Sequence, residues 1–304
     1  MLLKKIVSID NTRLVPEARE QLRELAEEVV FYEDYPDSTE EVEKRMADAD
    51  VVLVSWNTKI HREAILGAKN LKYIGMCCSL YDEKSANVDI PAARERSIPV
   101  LGVRDYGDEG VIEFIISELV SLLHGFHRHQ WRDFPTELTG QKLGIIGMGT
   151  LGKMLVRTAK HFNMEVYYYS RRQNPEAEAM GAVYLPKDQL LSTVDIVSTH
   201  LPRNTVALEA SDFDVFGNGK ILINTSLGKT YDLESFRRWI QHRDNYAVFD
   251  VGGLEGLLQE MKQYENVITS NNVAGFTTQA KTRLSEKVIS NLHKVFPELP
   301  QSSR

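Results

Sequence analysis

The stretch KLGIIGMGTLGKMLVRTAKHF, residues 142–162, is the most informative part of the sequence for the fold. Its apolar start, Leu143 to Ile146, predicts a buried strand, and a helix-forming segment follows the glycines. The pattern between them is G-x-G-x-x-G, which lets the chain turn tightly, approach a pyrophosphate closely and present amide donors at the helix N-terminus. We therefore predict a dinucleotide site here, with a purely structural turn as the alternative. Its residues are Gly147, Gly149, Thr150, Leu151 and Gly152.

The end of the next predicted strand indicates which dinucleotide binds. The run EVYYYSRR ends near Ser170, where an NAD-preferring site usually carries an acid for the ribose hydroxyls. A carboxylate would repel a 2′-phosphate, whereas a hydroxyl followed by Arg171 and Arg172 can bind it. We expect NADP(H) to be preferred over NAD(H). The alternative is a solvent-facing arginine pair.

Short apolar runs alternate with amphipathic, charged segments along the whole chain, which is typical of parallel sheets with crossover helices. The runs are KKIVSID, EVVFYED, ADVVLVSW, LKYIGMCC, MEVYYYS, VDIVSTHL, KILINTS, NYAVFDVG and NVITSNN. Residues 109–128 and 276–296 have apolar residues at helical spacing, so they predict two long helices. The predicted fold class is α/β, with two doubly wound parallel-sheet domains.

Composition excludes several classes of function. The 304 residues are 42% hydrophobic and carry a net charge of -7, so we expect two domains and no nucleic-acid partner. No apolar run reaches the ~20 residues that span a bilayer, and MLLKKIVSID predicts a first strand rather than a signal peptide. Adjacent Cys77 and Cys78 are unsuited to cross-linking distant segments, which favours the cytoplasm. The basic stretch His124 to Arg132 predicts a solvated helix end, and no metal site is expected.

Several blocks in the right order resemble the D-isomer-specific 2-hydroxyacid dehydrogenases over nearly the whole chain. They are LKYIGMCCSLYD with NVDIPAARERSIPV, DYGDEGVIEFIISELV, LGIIGMGTLG, VSTHLPRNT, ILINTSLGKTYD, AVFDVGGLEG and NVITSNNVAGFTT. The resemblance implies a substrate domain of residues 1–104 and 276–304, and an inserted cofactor domain of residues 105–275. It also implies a small-molecule substrate and a homodimer formed through the cofactor domain.

The resemblance further implies cofactor contacts from the H-x-P segment and the three C-terminal blocks. These residues are His200, Leu201, Pro202, Thr225, Ser226, Leu227, Asp250 and Gly275.

The same blocks imply a catalytic triad, and two of its three positions depart from the family pattern. Leu227 stands where an arginine would clamp the substrate carboxylate, and Asn272 stands where a histidine would protonate the alkoxide. Glu255 keeps the position of the acid that orients this histidine, with an exposed loop acid as the alternative. An ordinary 2-oxo acid is therefore not the expected substrate.

Other changes fall around the predicted cleft. Cys78-Ser79-Leu80 replaces a glycine-rich substrate turn, residues 83–86 resemble a small insertion, and the loop after Pro202 is about three residues short. Side chains considered as substitute proton donors are Tyr81, Tyr106, Glu109, Lys229 and His200. Lys229 or Arg104 could also replace the missing cation.

Two functions from different classes are consistent with this pattern. The first is an NADP(H)-dependent oxidoreductase that acts on a non-standard carbonyl or imine. The second is a catalytically silent NADP(H)-binding protein with a regulatory or scaffold role. The residues that replace the family's residues around the predicted cleft are varied in chemistry rather than simply inert, which favours the enzyme.

Overall fold

Two units make up the chain in the computed structural model, which describes residues 2–203 and 205–300. One unit consists of Met1–Tyr106 and Thr278–Arg304, and the other of Gly107–Thr277. Three parts of the predicted domains lie outside the described residues: Met1, residues 301–304, and Asn204 in the shortened loop. Each unit contains a parallel sheet with helices, which confirms the predicted α/β class.

A five-stranded parallel sheet forms the centre of the first unit. Its elements before the second unit are β1 (Leu3–Ser8), α1 (Pro16–Leu25), β2 (Ala26–Phe31), α2 (Thr39–Met46), β3 (Val51–Val54), α3 (Arg62–Gly67), β4 (Tyr73–Met76), α4 (Ile90–Glu95) and β5 (Val100–Leu101). The strand order is β2-β1-β3-β4-β5, which is the flavodoxin-like order. Strands β3 and β4 are buried along their whole length, as expected where helices cover both faces of a sheet.

A seven-stranded parallel sheet forms the centre of the second unit. Its elements are α5 (Asp108–His124), β6 (Lys142–Ile146), α6 (Thr150–His161), β7 (Glu165–Tyr169), α7 (Pro175–Ala179), β8 (Val183–Tyr184), α8 (Lys187–Thr193), β9 (Ile196–Thr199), α9 (Ala210–Phe216), β10 (Ile221–Asn224), α10 (Leu233–Trp239), β11 (Tyr246–Phe249), α11 (Val251–Leu254), α12 (Leu258–Met261) and β12 (Val267–Thr269). The order β12-β11-β10-β9-β6-β7-β8 is that of a Rossmann fold with an added strand. The short strands β5 and β8 were not among the predicted runs.

The last helix, α13 (Thr278–Val295), returns the chain to the first unit. Its apolar stripe, which includes Leu284, Val288 and Leu292, packs into a core cluster with residues of β1 and α1. Two polar contacts fix its position: the backbone N–H of Val15 donates to Ser285 Oγ at 3.0 Å, and Asn291 donates to the carbonyl of Gly102 at 3.0 Å.

The prediction of a helix through residue 128 is wrong at its C-terminal end. Helix α5 stops at His124, because Gly125 takes a left-handed conformation with φ of 68°. The basic stretch from 124 to 132 is therefore mostly loop rather than helix end. Trp131 within it is buried, and its indole N–H donates to the carbonyl of Gly219 at 3.2 Å.

The described residues contain neither a membrane-spanning helix nor a metal-binding cluster. Between residues 2 and 203 and between 205 and 300, no helix has the length and apolar character needed to cross a membrane. The same residues bring together no three His, Cys, Asp or Glu side chains that could hold a metal ion.

Candidate nucleotide-binding and active site

The candidate site lies at the carboxyl edge of the seven-stranded sheet. The strand order reverses between β6 and β9, and ligands of open α/β sheets bind outside the carboxyl ends of strands at such a point. The predicted site residues follow β6, β7, β9, β10, β11 and β12, so the fold brings them to one edge of the same sheet. Gly275, at the end of the series, packs its backbone against Gly107.

The three glycines of the turn after β6 meet two different physical requirements. A Cβ on Gly147 would lie 2.1 Å from the carbonyl oxygen of His200, and one on Gly152 would lie 2.4 Å from that of Gly147. A Cβ on Gly149 would meet nothing within 4 Å. The first and third glycines therefore allow close packing of the protein backbone, whereas the second leaves open space beside the first turn of α6, where Thr150 and Leu151 lie.

The loop after β7 is tied to the glycine turn. The backbone N–H of Gly147 donates to the carbonyl of Tyr169 at 2.9 Å, which places Ser170 beside the turn. The Ser170 hydroxyl donates to the carbonyl of Arg172. Arg171 and Arg172 are exposed, and neither guanidinium forms an ion pair with any described residue. The position where an acid would select NAD therefore carries a hydroxyl and two accessible cations.

The segment after β9 places a neutral histidine at the sheet edge. Burial lowers the pKa of His200 to about 4, so its ring is neutral at pH 7. Its Nε2 lies 3.0 Å from Ser198 Oγ, while its buried Nδ1 has no hydrogen-bond partner among the described residues. The next residue, Leu201, donates its backbone N–H to Ser226 Oγ at 3.0 Å, and Pro202 follows.

The loop after β10 is held by the buried side chain of Asn224. Its amide donates to the carbonyls of Gly228 at 2.9 Å and Gly253 at 3.2 Å, and its oxygen accepts from the backbone N–H of Ser226 at 3.0 Å. Thr225 Oγ1, by contrast, is buried without a hydrogen-bond partner among the described residues. The loop is fixed from within and leaves one hydroxyl unsatisfied at the sheet edge.

Leu227 projects from this fixed loop and is 41% exposed. One of its methyl groups lies 3.5 Å from where a Cβ on Gly252 would be. A leucine offers no donor for a substrate carboxylate, so the position forms an apolar surface.

The acid after β11, Asp250, has a structural role. Its carboxylate accepts the backbone N–H of Gly253 at 2.8 Å and that of Ala274 at 2.9 Å, which joins the two last blocks. Burial raises its pKa, and these N–H groups oppose the shift. The contact fixes the backbone beside Asn272.

Glu255 and Asn272 do not form an acid–base pair. Asn272 is exposed, and its side chain makes no hydrogen bond with Glu255 in the part of the chain that the structure describes. Instead, the Glu255 carboxylate lies 3.7 Å from Arg203 Nη2 and 4.0 Å from Lys229 Nζ. Its side chain is 34% exposed, so it is a partly enclosed acid within a charged cluster.

Arg203 was missed from the sequence. It belongs to the H-x-P segment and directly follows Pro202, but only the fold brings it to Glu255. An arginine after this proline is the one sequence signal that could have indicated it.

The substitute cations and proton donors proposed near the junction of the two units in sequence are engaged in contacts of their own or lie in a helix. Arg104 donates to the carbonyls of Leu80 at 2.6 Å and Tyr81 at 2.9 Å, and it stacks on the Tyr81 ring. Burial raises the pKa of Tyr106 to about 12. The buried thiol of Cys77 has its pKa raised by burial, which makes it unreactive. Glu109, the remaining candidate, lies in the first turn of α5.

The described residues fit a dinucleotide. The open space at Gly149 adjoins the N-terminus of α6, whose amides favour an anion. The unsatisfied His200 Nδ1 and Thr225 Oγ1 lie along the same edge and can bond to a ligand.

Comparison with known proteins identifies the family. The family model for the D-isomer specific 2-hydroxyacid dehydrogenase, NAD binding domain, matches residues 116–274. The chain belongs to the D-isomer-specific 2-hydroxyacid dehydrogenase family. The resemblance drawn from the sequence blocks is thereby confirmed, and with it a nicotinamide-dinucleotide-binding oxidoreductase fold.

Relatives in this family extend over most of the chain. A glyoxylate reductase of Thermofilum pendens is 28% identical over 319 aligned residues, covering 95% of this chain and 91% of its own. A hydroxypyruvate reductase of Blautia hydrogenotrophica is 29% identical over 245 residues, 74% of each chain. The solved structure of an acyclic imino acid reductase in complex with NADPH and D-Arg is similar in fold, with a TM-score of 0.78, 22% identity and coverage of 97% and 98%.

Proposed function

We propose that the protein is an NADP(H)-dependent oxidoreductase whose substrate is a carbonyl or imine other than an ordinary 2-oxo acid. One observation carries this proposal: at a single sheet edge, a complete nucleotide turn adjoins a loop in which Leu227 replaces the expected arginine. The turn is suited to the cofactor, and the loop is not suited to the usual substrate.

The chain's own residues would hold the cofactor as follows. The amides at the start of α6 bind the pyrophosphate, with Gly149 leaving the space that it needs. Thr225 and His200 supply the two unsatisfied polar atoms. When bound, the reduced cofactor supplies a hydride.

The preference for NADP(H) follows from the loop after β7. Ser170, Arg171 and Arg172 offer a hydroxyl and two exposed cations to a 2′-phosphate, and no acid stands at that position. An NADPH complex is known for the imino acid reductase of similar fold.

The substrate preference follows from Leu227 and Asn272. A lost bidentate contact to a carboxylate forfeits about 3–6 kcal/mol if each charged hydrogen bond contributes about 1.5–3 kcal/mol. Asparagine can donate a hydrogen bond to an oxyanion but transfers no proton near neutral pH, which forgoes about 10²–10⁴-fold in rate. We therefore expect little activity with substrates that depend on the family's arginine and histidine.

A catalytically silent NADP(H)-binding protein is the second candidate. The absence of a hydrogen bond between Glu255 and Asn272, among the described residues, favours it because no orienting pair is present for proton transfer. In this case the nucleotide turn serves sensing or partner recruitment.

We also propose a cytoplasmic homodimer formed through the Gly107–Thr277 unit. The loop after α5 supports this assembly, since Phe126 is 64% exposed and Phe134 is 81% exposed, and such apolar side chains favour burial against a partner. Light scattering on the protein as it elutes from a size-exclusion column tests the homodimer, and the mass of a monomer would contradict it.

One experiment separates the two functions. NADPH and NADH are titrated against the protein by fluorescence, and NADPH oxidation is then followed across a panel of carbonyls and imines. We expect tighter binding of NADPH and turnover of at least one compound. Binding without any turnover would favour the silent protein, and a lack of binding by either dinucleotide would contradict both.

A further inference from the structure

The cluster around Glu255 contains more positive than negative charge. One carboxylate faces two cations, Arg203 and Lys229, so the group carries a net charge of +1 within a chain whose net charge is -7. Leu227 is two residues from Lys229 on the same loop. Positive charge is thus present beside the position where the family's arginine is absent.

The cluster contributes little to stability. Its two ion-pair distances, 3.7 and 4.0 Å, are longer than hydrogen bonds, and all three side chains are 34–37% exposed. Ion pairs of this kind contribute about 0–1 kcal/mol. Lys229 Nζ makes no hydrogen bond to a described residue, so its three donors are available to a ligand.

The backbone holds the carboxylate in place. Glu255 has a left-handed backbone, with φ of 45°, and a Cβ on Gly228 would lie only 3.0 Å from its Oε2. The N–H of Gly228 donates to the carbonyl of Gly252 at 3.0 Å, which joins the two loops. Glu255 therefore lies over the turn between Leu227 and Lys229. Its carboxylate attracts the two cations, Lys229 and Arg203.

From these contacts we propose that Lys229 and Arg203, gathered by Glu255, form an anion-recognition pair that replaces the missing arginine at position 227. Its ligand is the carboxylate of a small carbonyl or imine substrate; an ordinary 2-oxo acid could bind there but would still lack a proton donor, because Asn272 transfers no proton near neutral pH. This inference rests on the proposed oxidoreductase function only in assigning the anion to a substrate. The cofactor carries phosphates of similar chemistry, so the test must separate the two sources.

The probe is oxamate, an unreactive 2-oxo acid analogue, with neutral oxamide as its matched control. Calorimetric titration into the NADPH-loaded protein requires no turnover. We expect oxamate to bind and oxamide to bind at least about tenfold more weakly. Lys229→Met and Arg203→Met should each weaken oxamate about tenfold, the effect of one lost charge at ion-pair distance.

Lys220→Met is the matched control variant. Lys220 lies just before β10, at the end opposite Lys229, and also pairs with a carboxylate, Asp195, at 2.8 Å. Its substitution should leave oxamate binding unchanged. Thermal unfolding of each variant identifies any that fail to fold, and Arg203→Met then provides the independent second test.

Two results would overturn the inference. In the first, oxamate binds no better than oxamide, or equally well to the Lys229 and Arg203 variants. In the second, Lys229→Met weakens NADPH itself by the same factor, which would assign the anion to a cofactor phosphate. Failure of the proposed oxidoreductase function differs from both, because it is seen as NADPH binding without turnover of any compound in the panel, or as no binding of either NADPH or NADH.

Discussion

The two halves of the sheet edge differ in what their loops present. On the β6–β7 side, the turn from Gly147 to Gly152 combines close backbone packing with open space at Gly149, as the dinucleotide-binding pattern requires. On the β10–β12 side, Asn224 and Asp250 hold the backbone in the same way, but the outward side chains Leu227 and Asn272 depart from the pattern that the sequence resemblance implies. The shape of the loops and the chemistry of their outward side chains can therefore change independently. Buried hydrogen bonds fix the loops, whereas exposed side chains can vary without a cost to folding.

The largest effect is expected from substituting the two proposed triad positions of the β10–β12 side. Leu227→Arg combined with Asn272→His places the proposed cation and proton donor on loops that Asn224 and Asp250 already fix. We expect kcat/KM for glyoxylate to rise by about 10²–10³-fold, mainly from the regained charged hydrogen bonds and proton donor. Steady-state NADPH oxidation measures it, with each single variant as a control. No gain would show that these two positions do not limit the reaction.

The nucleotide half is tested by filling its open space. Gly149 has an ordinary backbone conformation, with φ of -84°, and a Cβ there meets no atom within 4 Å. Gly149→Val should therefore fold normally but block the pyrophosphate, weakening NADPH by about 100-fold or more through lost charge-assisted hydrogen bonds.

Fluorescence titration and thermal unfolding check this prediction together. Gly67→Val is the matched control, because a Cβ at Gly67 also meets nothing within 4 Å and the residue ends α3 in the other unit. Unchanged NADPH affinity in Gly149→Val would mean that the cofactor does not use this turn.

Much of the fold could be predicted from the sequence because parallel strands are continuous apolar runs. Runs such as ILIN (β10) and VVLV (β3) are buried throughout, and the pattern of glycines located the turn after β6. The end of α5 was missed, since apolar spacing continues past Gly125 and only the left-handed conformation of that glycine ends the helix.

The arrangement of the altered half could not be predicted in the same way. Sequence blocks indicated which residue stands at each position, but a charged side chain's partner depends on which loops meet in space. Arg203 and Glu255 are 52 positions apart, as their numbers show, and come within 3.7 Å only because β9 and β10 are neighbours and β11 follows. The hydrogen-bond partners of Arg104 could not be predicted from the sequence for the same reason.

The nucleotide half is also tested by removing its two exposed cations. Arg171→Ala with Arg172→Ala removes both cations beside Ser170, so NADPH should bind about 30-fold more weakly while NADH changes little. The ratio of the two dissociation constants, measured by fluorescence, checks it. Arg157→Ala, on α6 of the same unit, is the control. Equal losses for both dinucleotides would show that the pair does not recognise a 2′-phosphate.

The smallest predicted effect concerns His200, which lies between the two halves. The folded protein keeps it neutral down to about pH 4, whereas an unfolded histidine protonates near 6.5. Between these values the unfolded state binds more protons, so stability falls as the pH drops from about 6.5 to 4, and the loss persists below that. By pH 5 this contribution should be about 1–2 kcal/mol.

The His200→Gln variant lacks this titration. Between pH 7 and pH 5, its free energy of unfolding should therefore fall by about 1–2 kcal/mol less than that of the wild type. Urea unfolding at the two pH values measures the difference, and carboxylates that titrate in both proteins cancel. If His200→Gln retains the wild-type dependence, the ring is protonated at pH 5 in the folded state, and the sheet edge would then carry a positive charge between its two halves.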